Sequence, residues 1–374
     1  MKKKKILIIS KYFYPYESGS EKTSRYIIDY LVSRGNSVVL FCIKGNNERL
    51  NSKAIFYNIG SFEKIYDIFA KKRILKELVD IILGFLFVLK IVKKEKVDVI
   101  NIHYAEAVMF PAVLLGKIFS KKTVILWPTS SVYHLKEYES KIVYIYNKIS
   151  SKLTDTFIAK GMEEKQFVKI FKVNPKRLIA TPNPIEQKDY DLPLPEPKER
   201  LGIYYLGKYN SFKRPDILIK AVHKMKRENL EKIFVSLFGD GDYRERIEKL
   251  VKKLGLENTI KINPPTKNVK DVILKHHIFV YPSPYEPAFA QSILEAFSSA
   301  RIVVCKKTCS MERYFDENSY FGLEKIDSTQ LSKTLDFIVE NYDQVKKKGV
   351  NARQIIIEKF NFDHFISILE GSFK

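Results

Sequence analysis

Short runs of branched and aromatic residues alternate with longer helical patterns along the first half of the chain. The runs are ILIIS (6–10), VVLFCI (38–43), VDVINIH (97–103), TVILWP (123–128) and TFIA (156–159). Continuous apolar runs separated by helix-length segments are typical of buried parallel strands joined by crossover helices. The first half is therefore predicted to form a doubly wound α/β domain.

The same alternation starts again after residue 200, and the second set of strands is predicted at IYYLG (203–207), IFVSLFG (233–239), IKI (260–262), IFVYPS (278–283) and RIVVC (301–305). The segment 181–200 between the two halves carries five prolines, which disfavour helices and central strands, so we place a linker there. We expect a first domain at 1–185, a second domain at 186–350, and a helical tail at 351–374 that packs back on the first domain.

Ligands of open parallel sheets bind beyond the carboxyl ends of the strands. Two Rossmann-like, doubly wound domains are therefore expected to face a central cleft lined by loops. Candidate chemistry should lie in those loops.

Charge adds a further constraint. The 374 residues carry a formal net charge of +22, and residues 1–190 hold 34 Lys/Arg against 18 Asp/Glu. This asymmetry indicates an anionic partner, which could be nucleic acid, phospholipid headgroups or a phosphorylated substrate. Three cysteines do not make a disulfide framework, and the apolar stretch 81–89 is shorter than the ~20 residues that span a bilayer. We expect a cytoplasmic protein, at the inner face of the cell membrane.

Two features stand out in the first half. Gly19 and Ser20 precede a helix predicted to begin near Glu21, where exposed N–H groups suit a phosphate, although Ser20 could equally be a simple helix cap. His103 ends the third strand, where imidazole can meet a sugar hydroxyl, or can be merely structural.

In the second half, Lys208, Lys213 and Arg214 follow the first strand and make a candidate clamp for a pyrophosphate, although surface lysines are ordinarily solvated. Asp240 and Asp242 could be taken for a metal-binding DxD motif. Their position before an amphipathic helix favours a role at its amino end instead, so no metal site is predicted.

The segment YPSPYEPAFAQSILEAFSSARIVV (281–304) is the most informative one. A strand ends in a proline-rich loop that bears Glu286, and a helix that opens near Ala290 contains Glu295. A carboxylate in the loop and another in the following helix can reach the same ligand.

Together these motifs resemble family 4 of the retaining glycosyltransferases, which have two Rossmann-like domains in the GT-B arrangement. The resemblance implies a nucleotide-diphosphate sugar donor and no obligatory metal or other cofactor. It makes 1–185 the acceptor-side domain and 186–350 the domain that binds the nucleotide sugar. It implies that His103, Glu286 and Lys213 act at the reacting centre. It further implies that the donor is bound by Gly19, Ser20, Lys208, Lys213, Gly239, Phe289, Ala290 and Glu295.

Two departures from the family lie between Glu286 and Glu295. Eight residues separate Glu286 from Glu295, where the family has seven, and the family's Gly-Phe-Gly motif reads Pro287, Ala288, Phe289 and Ala290 here. Pro287 lacks the N–H that could contact the donor.

The predicted function is sugar transfer with retention to a sugar or lipid-linked acceptor in cell-surface glycan assembly. A GT-B nucleotide-sugar epimerase remains an alternative, and a basic membrane-binding or nucleic-acid-binding protein ranks below both. Residues 71–96 place an apolar stretch between basic clusters, which suggests peripheral contact with an anionic membrane. The plainer interpretation is a helix that packs on the first sheet and leaves its lysines solvated.

Overall fold

The computed structural model divides the chain into two compact units. The first comprises Met1–Pro184 together with Phe362–Lys374, and the second comprises Ile185–Asn361. The residues that the structure describes are 2–16, 19–103, 107, 109–127, 148–160, 167–168, 173–193, 199–284 and 289–374.

The first unit is built on a seven-stranded parallel sheet with the order β3-β2-β1-β4-β5-β6-β7. Its strands are β1 (Lys5–Tyr12), β2 (Ser37–Lys44), β3 (Ile55–Asn58), β4 (Val99–His103), β5 (Lys122–Trp127), β6 (Thr156–Lys160) and β7 (Leu178–Thr181). Its helices include α1 (Gly19–Ser33), α2 (Glu63–Ala70), α3 (Arg73–Glu95) and α4 (Met109–Ile118).

Both faces of this sheet are buried, which explains the continuous apolar runs. Successive side chains of a strand point to opposite faces. In β1, Ile6 and Ile8 pack in one hydrophobic cluster with residues of α1, whereas Leu7 and Ile9 pack in another with residues of α3 and α4. Layers of helices on both faces make the unit a three-layer α/β domain.

The second unit has a six-stranded parallel sheet with the order β10-β9-β8-β11-β12-β13. Its strands are β8 (Leu201–Leu206), β9 (Ile233–Phe238), β10 (Ile260–Asn263), β11 (Ile278–Tyr281), β12 (Ile302–Lys306) and β13 (Phe321–Leu323). Its helices are, in order, α5 (Pro215–His223), α6 (Arg227–Leu230), α7 (Arg244–Lys253), α8 (Val269–Leu274), α9 (Gln291–Ser298), α10 (Cys309–Glu312), α11 (Ser328–Glu340), α12 (Tyr342–Val345) and α13 (Lys347–Lys359).

The predicted pair of doubly wound domains is confirmed, but three edge strands were missed. These are β3, β7 and β13, which have three or four residues each and stand at sheet edges. Most of their residues are only partly buried, so the apolar run that marks a central strand is absent.

The predicted tail at 351–374 is divided between the two units. Residues up to Lys359 belong to α13, which packs against α9 in the second unit. The last helix, α14 (Phe362–Gly371), belongs to the first unit, where the Phe362 ring lies 5.2 Å from that of Tyr26 and 5.3 Å from that of Tyr30.

The predicted linker at 181–200 also contributes to packing. Thr181 is the last residue of β7, and the buried side chains of Ile185 and Tyr190 belong to a hydrophobic cluster of the second unit. Among the described helices, none is both long enough and apolar enough to cross a membrane.

Candidate functional site

Each sheet has one point at which the strand order reverses. The chain runs from β1 through β2 to β3 on one side and resumes with β4 on the other, and in the second sheet the reversal lies between β8 and β11. Loops that leave adjacent strands in opposite directions open a crevice there, which is the usual ligand site of such sheets. Most of the predicted site residues that the structure describes follow the strands at these two reversals.

At the reversal of the second sheet, the loops after β8 and β11 are fastened together. The backbone N–H groups of Phe212 and Lys213 donate to Asn210 Oδ1 at 3.1 and 2.9 Å, which forms a tight turn. The Ser283 hydroxyl donates to the Phe212 carbonyl at 2.8 Å. The Lys213 ammonium donates to the Tyr281 hydroxyl and lies 4.9 Å from the centre of that ring. The position of this ammonium is therefore set by both loops.

The three cations of this loop have different roles. The Lys208 side chain is exposed, while its carbonyl accepts a hydrogen bond from the Tyr205 hydroxyl at 2.8 Å. Arg214 instead binds the buried Asp216 through two hydrogen bonds of 2.9 and 3.0 Å. Burial raises the pKa of Asp216, but the Arg214 guanidinium outweighs this and the net pKa is lowered. Arg214 thus forms a structural ion pair with Asp216, and Lys208 and Lys213 are the candidates for binding an anion.

Gly239, predicted to bind the donor, follows β9 where the backbone passes very close to the loop after β8. A Cβ at this position would lie 1.9 Å from the Gly207 carbonyl oxygen and 2.9 Å from the Tyr209 ring. The neighbouring Asp240 carboxylate accepts from the Gly241 N–H at 2.9 Å. Within the described ranges, no group of three or more potential metal ligands is found.

The segment after β11 is described only in part. Glu286 lies outside the described residues, as do Pro287 and Ala288. Phe289 is buried and packs against the rings of Tyr314, Phe315 and Phe360 at 5.1 to 5.8 Å, so its side chain belongs to the core.

Ala290 is the residue before α9, and Glu295 lies within that helix. The Glu295 carboxylate is buried and accepts a hydrogen bond of 2.6 Å from the Tyr190 hydroxyl. The predicted linker therefore supplies a direct partner for a predicted site residue.

At the reversal of the first sheet, His103 ends β4 and is buried. Asn101 donates through Nδ2 to the Val124 carbonyl, which leaves its Oδ1 facing His103 Nε2 at 2.9 Å. His103 Nδ1 lies 2.7 Å from the Ser24 hydroxyl of α1. Nε2–H therefore donates to Asn101, and Nδ1 accepts from Ser24. Burial, reinforced by the nearby Lys160 charge, lowers the pKa of His103 to about 3.

Gly19 and Ser20 form the first turn of α1, which begins two residues earlier than predicted. The Gly19 carbonyl accepts from the Thr23 hydroxyl at 2.7 Å, and the Ser20 hydroxyl donates to Glu21 at 3.1 Å. Ser24, one turn further on, connects this helix end to His103. The three predicted residues of the first unit therefore lie on two elements that are in direct contact.

Two buried lysines at the same sheet edge were not predicted. Lys11 lies near the end of β1, and Lys160 is the last residue of β6. Burial lowers the pKa of Lys160 to about 8. The available sequence signal is a lysine directly after an apolar strand run, as in TFIAK.

Known proteins resemble this chain in sequence and in fold. Residues 186–355 match the family described as glycosyl transferases group 1. An uncharacterized glycosyltransferase of Methanocaldococcus jannaschii is 25% identical over 228 residues, which are 56% of each chain. Digalactosyldiacylglycerol synthase 2 of Arabidopsis thaliana is 31% identical over 133 residues, which are 36% of this chain and 26% of the synthase. The matches thus span about half or less of these relatives.

Among solved structures, Anabaena Alr3699/HepE in complex with UDP and glucose superposes with a TM-score of 0.76 at 14% identity, covering 99% of both chains. Together with the two doubly wound sheets, these findings support a glycosyltransferase. The chain has the GT-B fold, and its second unit carries the match to the glycosyl transferases group 1.

Proposed function

We propose that the protein is a glycosyltransferase that takes a sugar from a nucleotide-diphosphate donor bound in the second unit and transfers it with retention to an acceptor. The observation that carries this proposal is the placement of Lys208 and Lys213 at the reversal of the second sheet, within the segment that matches the group 1 family. Arg214 is neutralised by Asp216, so the two lysines are the cations of this loop that can meet a diphosphate.

Charge develops on the leaving diphosphate as the bond to the sugar breaks. Fixed cations at that position stabilise the transition state more than the ground state. Lys213 suits this role because Asn210 fixes its backbone and Tyr281 fixes its ammonium. Lys208 is held only through its backbone, so we expect a smaller contribution from its side chain.

Retention is proposed from the resemblance to family 4. In this scheme the acceptor attacks from the face that the diphosphate leaves, and a phosphate oxygen of the leaving group takes the acceptor proton. No metal or other cofactor is required in the scheme. Neutral His103 would hold Ser24 and Asn101 in place through its two ring nitrogens rather than supply a charge, since its pKa is lowered to about 3.

A lipid-linked acceptor in cell-surface glycan assembly is the finer part of the proposal. It is supported by the similarity to a protein named digalactosyldiacylglycerol synthase, whose product is a glycolipid by name. The basic first half of the chain is compatible with substrates at an anionic surface.

The donor-binding assignment is tested with the variant Lys213→Ala and UDP as the probe. Loss of the fixed ammonium should weaken UDP binding at least about tenfold and lower turnover by about 10²-fold. Lys253→Ala is the matched control, because Lys253 is exposed at the end of α7 in the same unit. Equal UDP affinity of both variants in calorimetry, with the fold intact by circular dichroism, would refute the assignment.

Transfer itself is tested by screening nucleotide sugars for thermal stabilisation and then following the stabilising donor with and without candidate acceptors. A transferase releases free nucleotide in step with formation of a glycosylated acceptor. An epimerase would change the sugar without requiring any acceptor. Epimerisation of the donor in the absence of an acceptor would therefore contradict the proposed function.

A further inference from the structure

The outward face of α3 is apolar over its first three turns. Ile74, Leu78, Ile82 and Leu86 recur every fourth residue, so they lie along one side of the helix, and all four are exposed. The stripe extends about 18 Å along the helix axis. The same helix also has a buried apolar face, to which Leu83 and Val88 belong.

The preceding helix α2 enlarges this face. Phe62 precedes α2 and packs edge-on against Phe87 of α3, with ring centres 6.3 Å apart, and the two helices are in direct contact. Together they form what we call the α2–α3 apolar surface, whose side chains are 38% to 66% exposed. Its members are Phe62, Ile65, Ile68, Phe69, Ile74, Leu75, Leu78, Ile82 and Leu86.

The same helix turns two carboxylates inwards. Glu77 and Asp80 of α3 are buried, and Asp80 lies 3.9 Å from the Lys11 ammonium and 3.8 Å from that of Lys76. A helix that faces water normally has the opposite arrangement, with charged residues outside. Single exposed apolar residues are ordinary, but a contiguous set of nine marks an interaction surface.

The charges around this surface are predominantly positive. Residues 62–96 hold nine basic and five acidic side chains. Four of the acidic side chains are either buried or paired with a lysine. Glu77 and Asp80 are buried, Asp67 pairs with Lys44, and Glu95 pairs with Lys5. Exposed lysines stand in the first turn of α2, at the junction of the two helices and beyond the end of the stripe, namely Lys64, Lys71, Lys72 and Lys90.

We propose that the α2–α3 apolar surface docks the protein on a bilayer that contains anionic lipids. Its apolar side chains would enter the boundary between headgroups and acyl chains, and the flanking lysines would meet the anionic headgroups. A protein partner could cover an apolar face too, but the cationic rim complements a lipid surface in particular. The inference deepens the proposed lipid-linked acceptor, although docking itself requires neither donor nor acceptor.

Flotation of the full chain with vesicles tests the proposal. The protein should float with vesicles of phosphatidylcholine mixed with phosphatidylglycerol and much less with phosphatidylcholine alone, and added salt should weaken its binding. The triple variant Ile74→Gln, Leu78→Gln and Ile82→Gln should bind the mixed vesicles at least about tenfold more weakly. The matched control replaces three exposed apolar residues of the second unit, Phe337, Val350 and Ile357, with Gln and should float like the parent.

A second variant keeps the test valid if the triple variant does not fold. In Ile82→Trp, emission should shift to the blue when mixed vesicles are added, whereas Phe337→Trp should show no shift beyond that of the parent chain.

The proposal is overturned if the parent stays soluble with every vesicle, or if the triple variant floats equally well. It is also overturned if the surface instead joins two copies, so that the parent is a dimer without affinity for vesicles and the triple variant is a monomer. UDP binding is measured separately. A parent chain that binds UDP but no vesicles would contradict membrane docking and leave the proposed function intact.

Discussion

At the scale of single residues, burial and hydrogen bonding decide what a titratable side chain can do. His103 was predicted at a sugar, and its chemistry depends on which nitrogen carries the proton. The structure assigns the proton to Nε2, since Nε2 faces the Asn101 carbonyl oxygen and Nδ1 faces the Ser24 hydroxyl. Its pKa of about 3 keeps the ring neutral at physiological pH.

This assignment predicts the NMR spectrum of His103. In protein labelled with ¹⁵N at histidine, the ring should show a protonated Nε2 and an unprotonated Nδ1, with shifts that stay constant from pH 8 to pH 5. A His103 ring whose nitrogen shifts change over this pH range would contradict the assignment.

Two buried histidines also predict how stability depends on pH. Burial lowers the pKa of His103 to about 3 and that of His276 to about 4. Between these values and the unfolded pKa of about 6.5, the unfolded chain binds more protons, so the free energy of unfolding falls as the pH falls. Each histidine should remove about 2 kcal/mol between pH 7.5 and pH 5, where the native rings are still neutral.

Urea unfolding at pH 7.5 and pH 5 measures this loss. His276 hydrogen-bonds to Ser236 and to the Val272 carbonyl within the second unit. His276→Asn should therefore reduce the acid-induced loss in that unit while leaving the loss caused by His103. An identical pH dependence with and without His276 would show that this ring does not remain neutral in the native state.

At the scale of elements, the close approach of two loops explains the glycine after β9. Gly239→Ala would place a methyl group 1.9 Å from the Gly207 carbonyl, so the loop that carries Lys208 must move. We expect a loss of about 2 kcal/mol or more and weaker UDP binding.

Gly371→Ala is the control, because nothing lies within 4 Å of the added atom in α14. It should leave stability almost unchanged. Chemical unfolding and calorimetry with UDP measure both effects, and equal behaviour of the two variants would show that the loop contact is unimportant.

The α3 helix shows that an element can be predicted correctly while its orientation is not. The apolar stretch between lysines suggested either a packed helix or a membrane contact, and the structure contains a buried face and an exposed apolar face in the same helix. Because apolar residues extend around the helix, one side can pack against the sheet while another apolar side remains exposed. On the side that faces the sheet, Asp80 lies 3.9 Å from the ammonium of Lys11 in β1.

At the scale of the whole molecule, the end of the chain completes the domain formed by its beginning. Phe362, Phe365, Ile366 and Leu369 of α14 are buried in the hydrophobic cluster that contains Ile27 and Ile28 of α1. Arg34 reinforces this packing through hydrogen bonds of 2.9 Å to Asp363 and 3.0 Å to Glu370. The first unit therefore requires residues that follow the second unit along the chain.

Removal of residues 362–374 should destabilise the first unit selectively. Loss of even one buried phenylalanine costs about 3 kcal/mol or more, and this deletion removes several buried apolar side chains. Hydrogen exchange should become faster in β1 and β2 while β8 and β9 keep their protection. A milder variant, Phe362→Ala, should show the same pattern, whereas Phe337→Ala, at an exposed position of α11, should not. Uniform loss of protection in both units would contradict this division.

The sequence by itself determined the class of fold and the positions of the main strands along the chain. Buried parallel strands must be apolar on both faces, so each central strand leaves a continuous run that can be read locally. The candidate loops were also visible, because ligand-binding residues follow directly after strands. Edge strands such as β13 left no such run, since they are short and half-buried.

The tertiary structure decided which of these side chains remain available for chemistry. Lys213 and Arg214 are adjacent and equally charged in the sequence, yet Arg214 is neutralised by Asp216 while Lys213 is positioned by Tyr281, 68 residues away. His103 became a neutral, oriented ring only through Ser24 and Asn101. Charge state, orientation and exposure depend on neighbours in space, and a local pattern in the sequence does not contain those neighbours.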